Sequence, residues 1–435
     1  MLKEIRKMPV IDTHEHLPFS EAGRDQNTDV LKEYLFHYMN SDLKSAGLSP
    51  EEMAKVVGPG LPILERWRIA EPYWEACRYT GYGRALDLSV RAIYGIDGIH
   101  AQTIEALDAA FRRSLVPGHY GRVLKELCGI RLSILDGFTG RFECDRDFFR
   151  RVWQPQKYVL PLPGAGEVIH GLEHEYHLSI RILDDWMQAF SRELQDALAN
   201  GIIALKCTLA YHRSLCFETV PYSVADAAFA GTISSWEKRG RRSDDAFSFP
   251  REVQDFMMHY IMRAANEKHL VFQFHTGLQE GNGNTITNSD PSLLINLFLA
   301  YPHVDFDLFH ISFPYQGIAT VLAKNFPHVF LDMCWAHIIS PAASRRALDE
   351  FLDAVPYTKI SAFGGDYGFV DGIYGHLQLA RENVSRVLAR KVSEGVFPFD
   401  KAVEIARALF HDNPRRLFRL ESVLPTAAAC PTGQA

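Results

Sequence analysis

The chain has 435 residues, 47% hydrophobic and 23% charged, a usage that excludes disordered, collagen-like and coiled-coil classes and calls for a sizeable core. Its 46 Lys and Arg against 53 Asp and Glu give a net charge of −7, spread along the chain, which argues against nucleic acid as the main partner.

The opening segment MLKEIRKMPVID carries charges where a signal peptide has its apolar region, and no stretch approaches the ~18 uninterrupted apolar residues of a membrane-spanning helix. A cytoplasmic protein with no membrane partner is expected. A first strand-like run covers residues 8–13. The stretch that follows is far too long for a connection and has helical periodicity at 28–39, 50–57, 61–80, 82–94 and 103–115, which predicts a helical insertion over 18–127. Further strand-like runs lie at 130–135, 157–162, 202–207, 270–275, 304–310, 329–334 and 359–363. Amphipathic segments at 291–301, 316–326 and 341–355 separate the last four at βαβ spacing. The basic run Lys238, Arg239, Arg241 and Arg242 is followed by Asp244 and Asp245 and reads as a solvated loop. Residues 422–435 lack periodicity and read as a flexible tail. Seven scattered cysteines with no C-x-x-C pair read as reduced thiols.

Runs such as LVFQFH and VFLDMC are apolar at consecutive positions, which suits parallel strands covered on both faces. Eight of them predict an α/β, TIM-like (β/α)8 barrel forming one unit over residues 1–421. A doubly wound open sheet is the alternative, but no G-x-G-x-x-G or phosphate-loop pattern supports dinucleotide binding. An insertion after the first strand emerges at the carboxyl-terminal face, where it would form a lid over the site.

The first run leads into Asp12-Thr13-His14-Glu15-His16, and the strand period of two puts His14 and His16 on one side, where two imidazoles can share a metal. Lys206, His275, His310 and Asp366 each lie at or just past the end of a later run. Strand ends point into the barrel mouth. Singly, each has a structural reading: a surface cation, core histidines, a turn aspartate in Gly364-Gly365-Asp366. Tyr211 and Arg213 follow the fourth run, where a guanidinium would either clamp an anionic group or make a structural salt bridge. The loop 277–284 carries Gln279, Glu280, Asn282 and Asn284 in a glycine-rich setting suited to substrate contact, and Trp335 and His337 follow the seventh run. His170, His174 and His177 have ligand-like spacing but belong to no strand end.

With these residues in place, the chain resembles the amidohydrolase superfamily over nearly its whole length. The segments FHTGLQEGNGN, FDLFHISFPY, VFLDMCW, FGGDY and KCTLAYHR look most like the amidohydrolase-related (amidohydrolase 2) branch, including the domain fused to glutamine-synthetase-like proteins, and HDNPRRLF resembles the family's closing helix. The large insertion after H-x-H is also similar to that of uronate isomerases. The resemblance implies metal ligands His14, His16, Lys206, His275, His310 and Asp366, with Asp366 and His310 catalytic; from their own positions, Tyr211, Arg213, Gln279, Asn282 and Trp335 are the expected substrate contacts.

Neutral imidazoles with a carboxylate suit one or two divalent ions, zinc first with manganese or iron as alternatives, and such an ion brings bound water to a pKa of ~7. Two readings of Lys206 stay open: a carbamylated anionic bridge between two metals, or a free ammonium that holds a substrate carboxylate. The expected function is metal-dependent hydrolysis of an amide-type C–N bond in a small polar, anionic molecule; the alternative is a uronate-isomerase-like sugar-acid isomerase or a metal-dependent decarboxylase. The expected partner is a small molecule, and homo-oligomerisation stays open.

Overall fold

The structure, a computed structural model, describes all residues except Phe138, Pro163 and 425–435, so most of the expected tail lies outside the described residues. Eight parallel strands form one sheet in strict chain order: β1 Val10–Glu15, β2 Ile130–Leu135, β3 Phe149–Trp153, β4 Ile202–Cys207, β5 Val271–Phe274, β6 Asp305–Leu308, β7 Val329–Asp332 and β8 Ile360–Ser361. The sheet curls into a nearly closed TIM-type barrel with helices outside. Ile11, Leu132, Val152, Ala204 and Val271, one from each of the first five strands, form a small core of their own, which Leu417, Phe418 and Leu420 of the closing segment plug.

One strand differs from expectation. The third is Phe149–Trp153, whereas 157–162 begins in the 3-10 turn Pro155–Tyr158. Two arginines disguise the real strand, FRRVW, because Arg151 is buried only by giving its donors to the carbonyls of Gly137, Gly140 and Glu143. The apolar content of 157–162 serves another purpose: Tyr158 packs on Trp186 and Phe190 of the helix Leu183–Ala199, while Lys157 pairs with Glu193. Proline at the head of this segment removes a ladder donor and favours the turn.

The insertion is helical, as its periodicity predicts, with Pro50–Val57, Ile63–Cys77, Gly81–Tyr94 and Ile104–Arg113 close to the expected bounds. The segment 28–39 is instead two helices, Val30–Phe36 and Met39–Ser45, broken at His37 and at Tyr38, whose φ is +40°. Helix Gly81–Tyr94 lies against the long helix Val370–Ser393 so closely that a methyl group at Gly375 would overlap the Ala85 carbonyl. At the head of that long helix, buried Asp371 accepts hydrogen bonds from Tyr34 (2.8 Å), Tyr94 (2.6 Å) and His119 (2.6 Å), all residues of the insertion. Burial works against the Asp371 charge, but His119 and the two tyrosines hold its pKa below the usual carboxylate range.

Asp371→Ala takes the acceptor from buried Tyr34 and His119 and leaves Tyr94 only Ser114, and is expected to destabilise by about 3 kcal/mol in urea unfolding. The same change should open 18–127 to limited proteolysis at protease concentrations that spare the wild type.

Candidate metal centre at the barrel mouth

The barrel closes between β1 and the segment after β8 through single hydrogen bonds. Thr13 N–H donates to Phe363 O (3.0 Å), Asp366 N–H to His14 O (2.8 Å) and His16 N–H to Tyr367 O (3.1 Å). Asp12 adds to the seam by accepting from Gly365 N–H at 3.0 Å. The seam is packed so tightly that a side chain at Gly365 would overlap the Glu15 carboxylate and one at Gly364 would crowd Thr13 and Cys334, which explains the glycine pair before Asp366. Asp366 itself sits at φ +60°, a conformation in which Asp is tolerated better than most residues.

This seam gathers the first cluster. His14 Nε2 lies 3.5 Å and His16 Nε2 3.1 Å from Asp366 Oδ1, and the three donors lie within 4.8 Å of one another. His16 Nδ1 is 2.7 Å from the Asp136 carbonyl, which can only accept, so Nδ1 carries the hydrogen and Nε2 faces Asp366. Burial, and then the charge of Lys206, pushes the His14 pKa well below its usual value, keeping it a neutral ligand. For His16, burial is outweighed by the Asp366 hydrogen bond and charge, and its pKa rises. Asp366 stays ionised because His16, His14 and His310 outweigh its burial.

A second group, His310, Cys334 and Asp366, also meets within 4.8 Å, so the carboxylate is common to both. Here the two strand-end histidines face each other. His275 Nε2 is 2.9 Å from Leu278 O and His310 Nδ1 is 3.0 Å from Cys334 O, so both outer nitrogens donate to carbonyls. Burial drives His275 well below its usual pKa and His310 down to about 4, so both rings are neutral. Their inner nitrogens, 3.0 Å apart, therefore both present lone pairs. That donor set fits a divalent cation, as does the histidine pair with its carboxylate on the other side.

Lys206 is fully buried, with its Nζ 3.4 Å from the Phe309 ring centroid and without a hydrogen-bond partner among the described residues. Burial pulls its pKa down, against the attraction of Asp136 and Asp366. The Tyr211 ring lies tilted 4.9 Å from that of His275, and its hydroxyl accepts from Glu280 N–H at 2.9 Å. Gln279 is buried with both amide atoms unpartnered among the described residues, whereas Asn282 is exposed and donates to Ser41 O (3.2 Å). Trp335, at φ +60°, lies under Tyr38 (4.7 Å) and edge-on to His310 (5.1 Å). Arg213 does not reach the mouth: its guanidinium is held by Asp255 (2.6 Å) and Gln254 (2.7 Å) and lies over Phe217, which is the structural salt bridge. His337 likewise points away from the mouth, to Ala362 O (2.9 Å). His170, on the helix Ala165–Tyr176, bonds Arg241 O (2.8 Å), so that histidine group serves a surface helix.

The structure adds residues that the sequence reading missed. Asp136 and Cys334 end β2 and the seventh run, so the strand-end rule that selected Asp366 would have reached them. His37 and Tyr38 had no such signal, because they interrupt an amphipathic stretch of the insertion. Tyr38 donates to the Asp366 carbonyl (2.5 Å), and the His37 ring packs 4.0 Å from the Tyr38 ring with its Nδ1 unpartnered among the described residues.

Two outcomes follow. Asp366→Asn removes the carboxylate common to both groups and should reduce tightly bound divalent metal by at least tenfold by elemental mass spectrometry, whereas Arg213→Ala should leave metal content unchanged. Metal must displace the proton that the raised pKa of His16 favours, so apparent affinity in a chelator competition should tighten as pH rises from 6 to 8, roughly tenfold per unit below that pKa.

Residues 212–420 match the profile of a family described as Amidohydrolase. The chain is 27% identical over 257 residues to the protein fluG of Emericella nidulans, a match that takes in 56% of this chain but only 29% of that larger protein. It is 23% identical over 460 residues to a uronate isomerase of Corynebacterium efficiens, covering 97% of this chain and 95% of that one. The crystal structure of uronate isomerase from Thermotoga maritima has the same fold, with a TM-score of 0.78 at 16% identity over 96% of both chains. Over residues 212–420 the chain is thus similar to the Amidohydrolase family, and over nearly its whole length it resembles the uronate isomerases.

Proposed function

We propose that the protein interconverts the aldose and ketose forms of a sugar acid of the hexuronate class, using a divalent metal at the barrel mouth. The observation that carries this reading is the extent of the resemblance: the likeness to uronate isomerases runs from end to end, insertion included, while the Amidohydrolase profile covers only 212–420. His14, His16 and Asp366 would hold the ion, zinc first with manganese or iron as alternatives. Bound there, it supplies Lewis acidity toward a sugar carbonyl or hydroxyl oxygen.

The chain's own groups divide the remaining work. Aldose–ketose exchange moves a proton from the carbon beside the carbonyl to the carbonyl carbon, and a hydroxyl proton to the carbonyl oxygen, with no water consumed. His37, kept neutral by burial with a pKa of about 4, can take and return the carbon-bound proton through Nδ1. Tyr38 fixes the Asp366 backbone and places His37. Lys206 brings a buried positive charge that suits the substrate carboxylate. Gln279 offers amide atoms that have no partner among the described residues to the sugar hydroxyls. The insertion, latched at Asp371 and meeting the loop 279–284 through Asn40 and Ser41, excludes water as a lid would.

A second reading, hydrolysis of a C–N bond in a small anionic molecule, is favoured by the Amidohydrolase profile and by Lys206 at the end of β4, where a carbamate would bridge two ions. The readings separate in one experiment. Metal-loaded protein given a panel of hexuronates should produce ketouronates in a ketose assay, and His37→Asn should lower kcat by about 10²–10⁴. Release of ammonia or an amino acid from C–N substrates, with no ketouronate from any hexuronate, would overturn the isomerase reading. Lys206→Met separates them again, since a single-ion isomerase keeps its metal and a carbamate-bridged pair loses it.

A further inference from the structure

Outside the barrel mouth, the helices Pro341–Ala354 and Val370–Ser393 border a cleft of about 540 Å³ lined by Arg345, Arg346, Arg386 and Arg390. Its one lining carboxylate, Asp349, is already paired with Arg390 and with Lys391 (3.0 Å). Among the described residues, no carboxylate pairs with Arg345, Arg346 or Arg386. Burial, and then the charges of Arg386, Arg84 and Arg346, work against the Arg345 cation. Such a cluster stores repulsion that a bound anion relieves, and the cleft walls concentrate its field. Paired N–H donors of guanidinium match phosphate oxygens in spacing and charge.

The cleft has a physical line to the strand carrying the metal ligand. Arg345 Nη1 donates to Asn383 Oδ1 (2.9 Å), Asn383 Nδ2 donates to His337 Nδ1 (3.2 Å), and His337 Nε2 donates to Ala362 O (2.9 Å). Burial keeps His337 neutral, with a pKa of about 4, so each member has one role and the order is fixed. Ala362 follows β8 and lies four residues before Asp366.

We propose that this arginine cleft binds a compact anion of the phosphate class, and that occupancy tightens the segment after β8 through Arg345, Asn383 and His337. The cleft is open to solvent, with Arg346 and Arg386 exposed at its rim, so a small phosphorylated molecule can enter it, and the net charge of −7 disfavours a long polyanion. The site stands independently of the reaction proposed above.

Isothermal titration of the full-length, metal-loaded protein with inorganic phosphate and with pyrophosphate tests it. One saturable event per chain is expected, at least tenfold weaker in Arg346→Ala/Arg386→Ala and unchanged in the remote control Arg91→Ala. Amide hydrogen exchange over 362–366 should slow on addition of phosphate in the wild type but not in Asn383→Ala. Equal binding in the double variant would assign the anion to the barrel mouth and overturn the proposal, as would the absence of saturable binding. Tighter binding of a single-stranded oligonucleotide, lost in the same variant, would reassign the cleft to nucleic acid. A change of oligomeric state in the double variant, read by light scattering, would make it an interface between copies. Protection over 362–366 that persists in Asn383→Ala would refute the coupling.

Discussion

The seam between the first strand and the segment after the last is the constraint on which the site depends. His14 and His16 leave the barrel at one end of the chain and Asp366 near the other, and only the closing hydrogen bonds bring them within ligand distance. The bonds are few, because β8 has two residues. Their shortage is offset by side chains that bond across the gap, Asp12 to Gly365 N–H and Glu15 to Tyr367 N–H. Both carboxylates are buried, and burial raises their pKa values, Asp12 to about 6, against the hydrogen bonds that favour their charge. The seam thus places polar groups in the core to fix a geometry, and the meeting of His14, His16 and Asp366 follows from it.

The insertion completes what the seam begins. Tyr34, Tyr94 and His119 converge on Asp371, five residues after Asp366, and Tyr38 bonds the Asp366 carbonyl. A segment of about a hundred residues is therefore anchored on the same short stretch that carries the Asp366 carboxylate. Displacing the insertion would alter the backbone at Asp366. The buried aromatic stack of Tyr38, Trp335 and Tyr82 makes this cover rigid where it meets the mouth.

Much of this was legible in the sequence, for identifiable reasons. Parallel strands covered on both faces carry short runs rich in apolar residues, so seven of the eight stood out; β3 hid because Arg151 satisfies its charge on backbone carbonyls that composition does not reveal. The strand-end rule placed His14, His16, His275, His310 and Asp366 at one mouth, because a barrel maps chain order onto a ring. It failed for Arg213, whose partner Asp255 lies on a distant helix. It was silent on His37 and Tyr38, since a kink set by tertiary contacts leaves no mark in helical periodicity.

The most direct test of this arrangement is X-ray absorption spectroscopy on zinc-loaded protein. Nearest scatterers of nitrogen and oxygen at ~2.0–2.1 Å are expected, with the outer-shell signature of at least two imidazoles. That signature should weaken in His14→Ala and in His16→Ala. A spectrum without imidazole scattering, or one unchanged by either substitution, would place the metal elsewhere and contradict a centre assembled by the seam.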